Sequence, residues 1–402
     1  MMASASLARS GQARCATTVA VGRAPASHEH ICMKPLAFTF ATFSAIFIYL
    51  ASGIAPAVAA LRAVSFVSAL TGWVAGDGAI WNTVDGGRTW HRQYTGRVQI
   101  YSLSFASAGV GWAAGTDPIP GRGILFGTID GGRTWNKLGE PRNPVRTISF
   151  ADGSNGFAVA GGSPLSIASA GERVPPFFGG RLASTTDGGR SWHMLDNPLL
   201  VDTACAATSR VTYAAYQAAV LRSEDGDTFA NVFSPHIDTK LVWYATVHCA
   251  GAQSAWVQFA STPQGDQRPA IVYRTTDGGT SWQAVLMNKN TPGAYPDLAS
   301  RTADLPGPWP GPFAVVDADT AYFLGLCPQC GSAGAVSIIG TSTGGTSWNA
   351  VATVPNITLT GPIAISFGDI KHGWVVGSGL GGIPVVDATG DGGLTWTPQR
   401  LP

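Results

Sequence analysis

The chain has 402 residues, 45% of them hydrophobic and only 12% charged, with 51 glycines, 26 prolines and 13 tryptophans. The charged share is about half the usual one, and 25 Lys+Arg against 24 Asp+Glu leave a formal net charge of +1. So balanced a chain lacks the long-range attraction for phosphate backbones that nucleic-acid binding needs, which argues against such a partner.

The first feature along the chain is an uncharged run of 25 residues, Leu36 to Ala60, with Lys34 just before it. Its tail, Ala57-Val58-Ala59, fits the small-x-small rule for signal-peptide cleavage. Residues 1–60 therefore read as a targeting segment, with the true start expected at Met33 and cleavage near Ala59. Residues 1–32, rich in Ala, Ser and Arg, read as an upstream artefact or a separate targeting extension. A run of this length would also span a bilayer if left uncleaved, but the helix-breaking Gly53 and Pro56 favour cleavage. General secretion is the expectation, to the periplasm or the outside. A membrane enters only through this segment.

From residue 61 on, one short string recurs. "TVDGGRTW" (83–90), "TIDGGRTW" (128–135) and "TTDGGRSW" (185–192) are followed by four more copies. The aspartate position falls at Asp85, Asp130, Asp187, Asp225, Asp277, Thr343 and Asp391. The aromatic position falls at Trp90, Trp135, Trp192, Phe229, Trp282, Trp348 and Trp396. The fourth copy, "SEDGDTF", and the sixth, "STGGTSW", are degenerate.

Each copy ends a longer unit. The first unit runs "AVSF", "GWVAG", "AIWNT", turn, "TWHRQ", and the second "YSLSF", "GWAAG", "ILFGT", turn, "TWNKL". Four short β-rich runs per unit, separated by glycine turns, match the blade of a β-propeller. The expected fold is all-β, a seven-bladed propeller of four-stranded antiparallel blades over residues 61–402. "GSGLGG" (377–382) has the letters of a dinucleotide fingerprint but leads into "IPVVDAT", a strand, so it carries no nucleotide site.

The pattern S/T-x-D-G-G-x-T-W resembles the Asp-box, or BNR, repeat of sialidases and other propellers. The whole unit is most similar to the photosystem II stability/assembly factor family. That resemblance covers nearly all of residues 61–402 and implies an exported seven-bladed propeller, in the thylakoid lumen if the host is photosynthetic. In that family a face bearing an arginine patch binds a membrane-protein assembly intermediate. The arginines of this sequence are dispersed instead.

On physical grounds the repeated string is a structural turn. The aspartate is expected to accept from backbone N–H groups two or three residues on, the glycines to take positive φ, and the tryptophan to wedge against the neighbouring blade. Seven like turns spread around a ring cannot converge on one substrate. A calcium loop needs several oxygen ligands where each copy offers one acid. No catalytic residue, metal or cofactor is expected.

Function is expected on the opposite face, where the long irregular loops collect. These are 116–123, 161–181, 261–269, 288–312 and 327–334. The candidate contact residues are Arg122, Arg173, Phe177, Phe178, Arg181, Asp266, Arg268, Tyr295, Asp297, Arg301, Asp304 and Trp309. Arginine with aromatic side chains suits a protein partner, and the aromatics equally suit a glycan. Cys327-Pro328-Gln329-Cys330 sits in a glycine-rich loop with no second pair to complete a zinc site. A local disulfide is expected there. Cys205 and Cys249 occupy equivalent positions and read either as a bridge or as buried thiols.

Two functions follow. The first is an exported, monomeric, non-enzymatic platform that binds a protein, akin to the assembly factors. The alternative is a sialidase-like or other Asp-box glycoside hydrolase, or a glycan-binding propeller. A hydrolase needs two facing carboxylates about 5–9.5 Å apart, with Asp266 beside Asp297 or Asp304 the pairs on offer. The aromatic-Arg-Ile-Pro string of sialidases is approached only by "ERVPPF" (172–177).

Overall fold

The computed structural model describes residues 60–402 apart from 119–121, 140, 142, 162, 165–176, 196–199, 238–240 and 290–301. The targeting segment, with Met33 and the cleavage position, lies outside the described residues. Nearly every described element is a short strand. The one helical turn, Leu380–Gly382, interrupts "GSGLGG" before strand Pro384–Thr389. No described helix is long and apolar enough to cross a membrane.

Each unit folds as a meander because its apolar runs are only four to seven residues long and end in turn residues. In the last unit Ala364–Phe367 pairs with Gly373–Ser378, which pairs with Pro384–Thr389, which pairs with Thr397–Gln399, all antiparallel. The first strands of successive units pack side by side and form the innermost layer. The result is an all-β propeller.

The described residues form six sheets, where seven separate blades were expected; a two-residue ribbon of Ser163–Pro164 with Phe177–Phe178 stands apart. The reason is an unbroken strand. His91–Phe105 pairs through its first half with Asp77–Asn82 and through its second half with Gly111–Thr116, so units one and two share one six-stranded sheet. Within Gly72–Thr83 the partner likewise changes near Gly78, at φ 78°. Two other sheets exceed four strands. Unit three gains Leu200–Val201, and unit five gains Ala303–Asp304, which lies parallel to Gln283–Met287.

What joins the units is a repeated aromatic contact. The tryptophan of each "GW" stacks on the phenylalanine that ends the next unit's first strand. Trp73 lies 3.5 Å from Phe105, and Trp112 lies 3.6 Å from Phe150, both with parallel rings. Each indole N–H then reaches the first glycine carbonyl of the next unit's turn, at 3.2 Å for Trp73 to Gly131 and 2.8 Å for Trp112 to Gly188. The glycine before each tryptophan is required: a Cβ on Gly111 would stand 2.2 Å from the Phe105 ring.

Ring closure repeats this contact. Trp374 of the last unit stacks on Phe66 of the first at 3.4 Å and donates to the Gly86 carbonyl at 3.2 Å. Gln399 donates to the same carbonyl at 2.9 Å. Other units vary the chemistry. In unit six Tyr322 replaces the tryptophan, stacking on Phe367 and donating to the Ile370 carbonyl. In unit five Arg274 lies over Trp256, pairs with Asp319 and donates to the Ala318 carbonyl.

The innermost strands have an edge whose N–H groups would otherwise go unpaired. Side chains of the preceding unit accept several of them. Ser366 accepts from Phe66 N–H at 3.0 Å, Ser104 from Phe150 at 3.0 Å, Ser149 from Ala206 at 2.9 Å and Thr203 from Val247 at 2.9 Å. Cys205 and Cys249 form a disulfide at the same level, with Cα atoms 5.9 Å apart, binding units four and five covalently.

Because closure uses the same contact as the interior junctions, Trp112→Ala and Trp374→Ala are expected to destabilise by like amounts, each ~3–5 kcal/mol. Chemical denaturation of the two variants checks this. A markedly larger loss for Trp374→Ala would mean that the closing junction is of a different kind.

Candidate functional site

The repeated turn is closed by its own residues. Asp85 accepts the Thr89 N–H at 2.9 Å and the Thr89 hydroxyl at 2.6 Å, while Thr83 Oγ1 donates to it at 2.8 Å and accepts from Gly87 N–H at 2.8 Å. The accepted N–H lies four residues on, not two or three, because Gly86 and Gly87 both take positive φ, 75° and 89°, and lengthen the turn. In the shorter fourth copy Asp225 accepts from N–H groups two and three residues on, and in the seventh Asp391 also accepts from the N–H three residues on, Leu394, at 3.1 Å. In the sixth, Thr343 Oγ1 accepts from Ser347 N–H at 2.8 Å in the aspartate's place.

In units one to three the turn tryptophan packs edge-on to the first-strand phenylalanine of its own unit, Trp90 on Phe66, Trp135 on Phe105 and Trp192 on Phe150. Trp282 also stacks on Phe233 of the unit before it. Six of the turns are tied to their unit's first hairpin turn, as with Gly86 N–H donating to Leu70 and Gly131 N–H to Gly109, whereas in the fourth Gly226 N–H donates to the Ser223 hydroxyl. These two sets of turns therefore share one face. On the other face the long loops meet the connections between units, with Gly123 N–H donating to Pro141 and Arg268 N–H to Pro308.

At the junction of units five and six that second face is indented by a cleft of about 100 Å³, lined by Gly265–Gln267, Pro308, Trp309 and Cys327–Gln329. Three segments far apart in the chain build it. Trp309, half-buried, donates its indole N–H to the Asp266 carbonyl at 3.1 Å, and the Gln329 amide donates to the Asp266 carboxylate. Beneath them Arg268 is only 5% exposed. Its Nε donates to the Ser261 carbonyl at 2.7 Å, and its guanidinium lies 4.8 Å from the Tyr244 ring and 5.7 Å from that of Trp309. Asn288, 1% exposed, donates to the Pro308 carbonyl at 2.7 Å and the Arg268 carbonyl at 3.2 Å, binding the floor together. Cys327 and Cys330 are disulfide-bonded on the rim.

Of the contact residues expected from sequence, the fold thus gathers Asp266, Arg268 and Trp309, with Cys327 and Cys330. Arg268 must be reassigned. It is no surface contact but a buried support, since its planar head fills the space between two aromatic rings. Asp304 is exposed and accepts from Lys289 N–H at 3.0 Å. Arg122 and Arg181 are exposed on units two and three, and Phe177–Phe178 belongs to the small ribbon. Arg173, Tyr295, Asp297 and Arg301 lie outside the described residues.

Sequence reading missed Gln329, Tyr244 and Asn288, which carry no motif. It also missed Asp202, 8% exposed on the same face. The Asp202 carboxylate accepts from Gly179 N–H at 3.2 Å, Gln217 N–H at 2.8 Å and Ala245 N–H at 3.0 Å, joining three units. Gln217 is the one described non-glycine residue at positive φ, 48°, held there by that bond. Asn356, which opens the string Asn356-Ile357-Thr358, is also engaged, donating to the buried Asp387 at 2.9 Å. On the turn face a hollow of about 350 Å³ opens between units three and four. Two of the hydroxyls lining it, Thr185 and Ser191, already bind Asp187. Among the described residues no group of three His, Cys, Asp or Glu could hold a metal ion.

No protein-family model matches the chain, and no curated protein matches it by sequence. Solved structures do. One is an ancestral GH74 enzyme, at TM-score 0.50 and 12% identity, covering 85% of this chain and 46% of that one. Another is oligogalacturonate lyase from Vibrio parahaemolyticus, at TM-score 0.54 and 9% identity, covering 83% and 91%. The chain thus spans about half the length of the GH74 enzyme it matches. At such identities the likeness shows the β-propeller fold and nothing finer.

The two kinds of aspartate make opposite contributions with pH. Asp85 is held down at about 2, chiefly by the Thr89 hydroxyl and then its N–H, and Asp130 at about 2 by the Thr134 N–H and then its hydroxyl. Such groups stabilise the fold above the ordinary carboxylate range and lose that contribution as pH falls toward 2. Burial pushes Asp202 up to about 6 from 3.8, against its three N–H donors. Its contribution is full below the ordinary value and is lost as pH rises through about 6. Stability is therefore expected to peak between about pH 4 and 6, as thermal unfolding from pH 2 to 8 will measure, and Asp202→Asn should flatten the upper side of the peak.

Arg268→Ala is expected to cost about 2–3 kcal/mol, because a buried carbonyl loses its donor and two rings lose their filler. Arg268→Lys should recover little of this, since an ammonium cannot stack between rings. Denaturant unfolding of both variants is the measurement.

Proposed function

We propose that the chain is an exported, non-catalytic propeller that binds a protein partner through its loop-bearing face, with the cleft at Trp309 as the central contact. Export rests on the uncharged run 36–60 and its small-residue tail. The reading resembles the role of the photosystem II assembly factors, whose repeat unit the sequence is similar to.

The observation that carries it is the chemistry of the cleft. Among the described residues the cleft is lined by one carboxylate, Asp266, which is engaged by Gln329, whereas glycoside hydrolysis calls for two carboxylates with a proton donor or nucleophile to spare. At about 100 Å³ the space is well under the ~300–1,000 Å³ of sites that enclose a small molecule. It suits one side chain of a partner, inserted beside a rigid tryptophan, which is how binding energy concentrates at protein interfaces. A half-exposed Trp309 is also the feature that favours the second reading, a glycan stacked on the indole.

The test is affinity capture from the native host with the wild-type chain and with Trp309→Ala, beside a chromogenic glycoside screen. The expected outcome is a specific protein captured by the wild type and at least tenfold less by the variant, with no hydrolysis. Reproducible hydrolysis abolished by Asp266→Asn would overturn the proposal.

A further inference from the structure

The two disulfides differ in what they hold. Cys205–Cys249 spans 44 residues and joins the innermost strands of two units. Cys327–Cys330 encloses only Pro328 and Gln329. The fold around it does not call for a bridge: strand pairing runs to Cys327 opposite Ala335, and the tight turn already has Cys330 N–H donating to the Cys327 carbonyl at 3.2 Å. A cross-link that closes so short a loop constrains the unfolded chain least. What the small ring does fix is Pro328 and Gln329, both in the cleft wall, with Gln329 aimed across at Asp266.

The geometry points to Cys327–Cys330 as a thiol–disulfide exchange site, which takes a protein dithiol as its reductant and sets the state of the cleft. Cys330 is exposed and Cys327 half-buried, so the outer sulfur is the one an incoming thiolate reaches. That thiolate attacks Cys330 Sγ, the Cys327–Cys330 bond breaks, and Cys327 leaves as a thiolate that takes a proton from water. The second thiol of the dithiol, deprotonated, then attacks its own partner sulfur in the mixed disulfide and releases Cys330. Two electrons and two protons have passed to the bridge, and the dithiol has become a disulfide. With the ring open Gln329 is no longer held on Asp266, and the Asp266 carboxylate stands at the cleft without its amide partner. In the oxidised chain the bond across the cleft gives it its shape, and in the reduced chain that bond is released and the cleft opens.

The inference rests on the cleft as the binding site proposed above, but its test reads the cleft itself, so a failed capture of a partner leaves the test standing. The full chain is equilibrated in glutathione redox buffers, thiols are trapped and assigned by peptide mass spectrometry, and amide hydrogen exchange is followed. The expected result is reduction of Cys327–Cys330 while Cys205–Cys249 stays intact. With it, exchange at the Arg268 amide, bonded to Pro308 at 3.0 Å, should rise at least tenfold while the innermost strands are unchanged. The double variant Cys327→Ser, Cys330→Ser should match the reduced state. Gln329→Ala should loosen the same amide even with the bridge closed. Reduction of both bridges together, or selective reduction that leaves the Arg268 amide unchanged, would overturn the proposal.

Discussion

The structure depends on one contact made between consecutive units: a tryptophan laid flat on the next unit's phenylalanine, with its indole N–H bonded to a glycine carbonyl in the next unit's turn. Trp73, Trp112 and Trp374 each make it. It joins the strand that fills the core to the turn that caps the edge, so the turn is part of the junction and not merely a reversal of the chain. The aspartate in that turn acts on the junction indirectly. By closing the loop on itself it aims the glycine carbonyl at the neighbouring indole.

Where this contact is lost, the replacement is local and chemically different. Tyr322 reaches a backbone carbonyl one turn away, and Arg274 uses its guanidinium to span both the turn and the adjacent hairpin. These are also the units around the cleft. Unit five has the long connection and the extra parallel strand, and unit six has the short disulfide ring. Units three and four depart from the repeat as well, with Phe157 and Tyr213 in the tryptophan's place and the Tyr213 hydroxyl donating to the Ala252 carbonyl, so the regular contact is kept by units one, two and seven.

The repeat was legible in the sequence because each of its parts answers a hard constraint. Paired glycines mark positive φ, the glycine before each tryptophan marks a ring lying where a Cβ would go, and the aspartate marks N–H groups needing an acceptor. Sheet count was not legible in that way. Whether two units share a strand depends on whether hydrogen bonding runs unbroken through Gly96–Gln99, and no residue there announces it. The site was legible in part. Asp266, Trp309 and the cysteines stood out as unusual residues in long loops, but the burial of Arg268 depends on Tyr244 and Trp309 arriving from other segments. Asp202 was the hardest to see, since its three donors lie 23, 15 and 43 residues away in sequence.

The first and last sheets are each completed by their own residues, and no strand is exchanged between them to fasten the ring. Phe66 and Trp374 meet as any other pair of neighbours does. The order of the chain therefore leaves little mark on the architecture. A gene that began at a different junction, with the present ends linked, would encode the same set of contacts. In evolutionary terms units can be gained, lost or reshuffled at a junction that shares no strand or disulfide, provided that each newcomer brings a ring to stack and a carbonyl to receive.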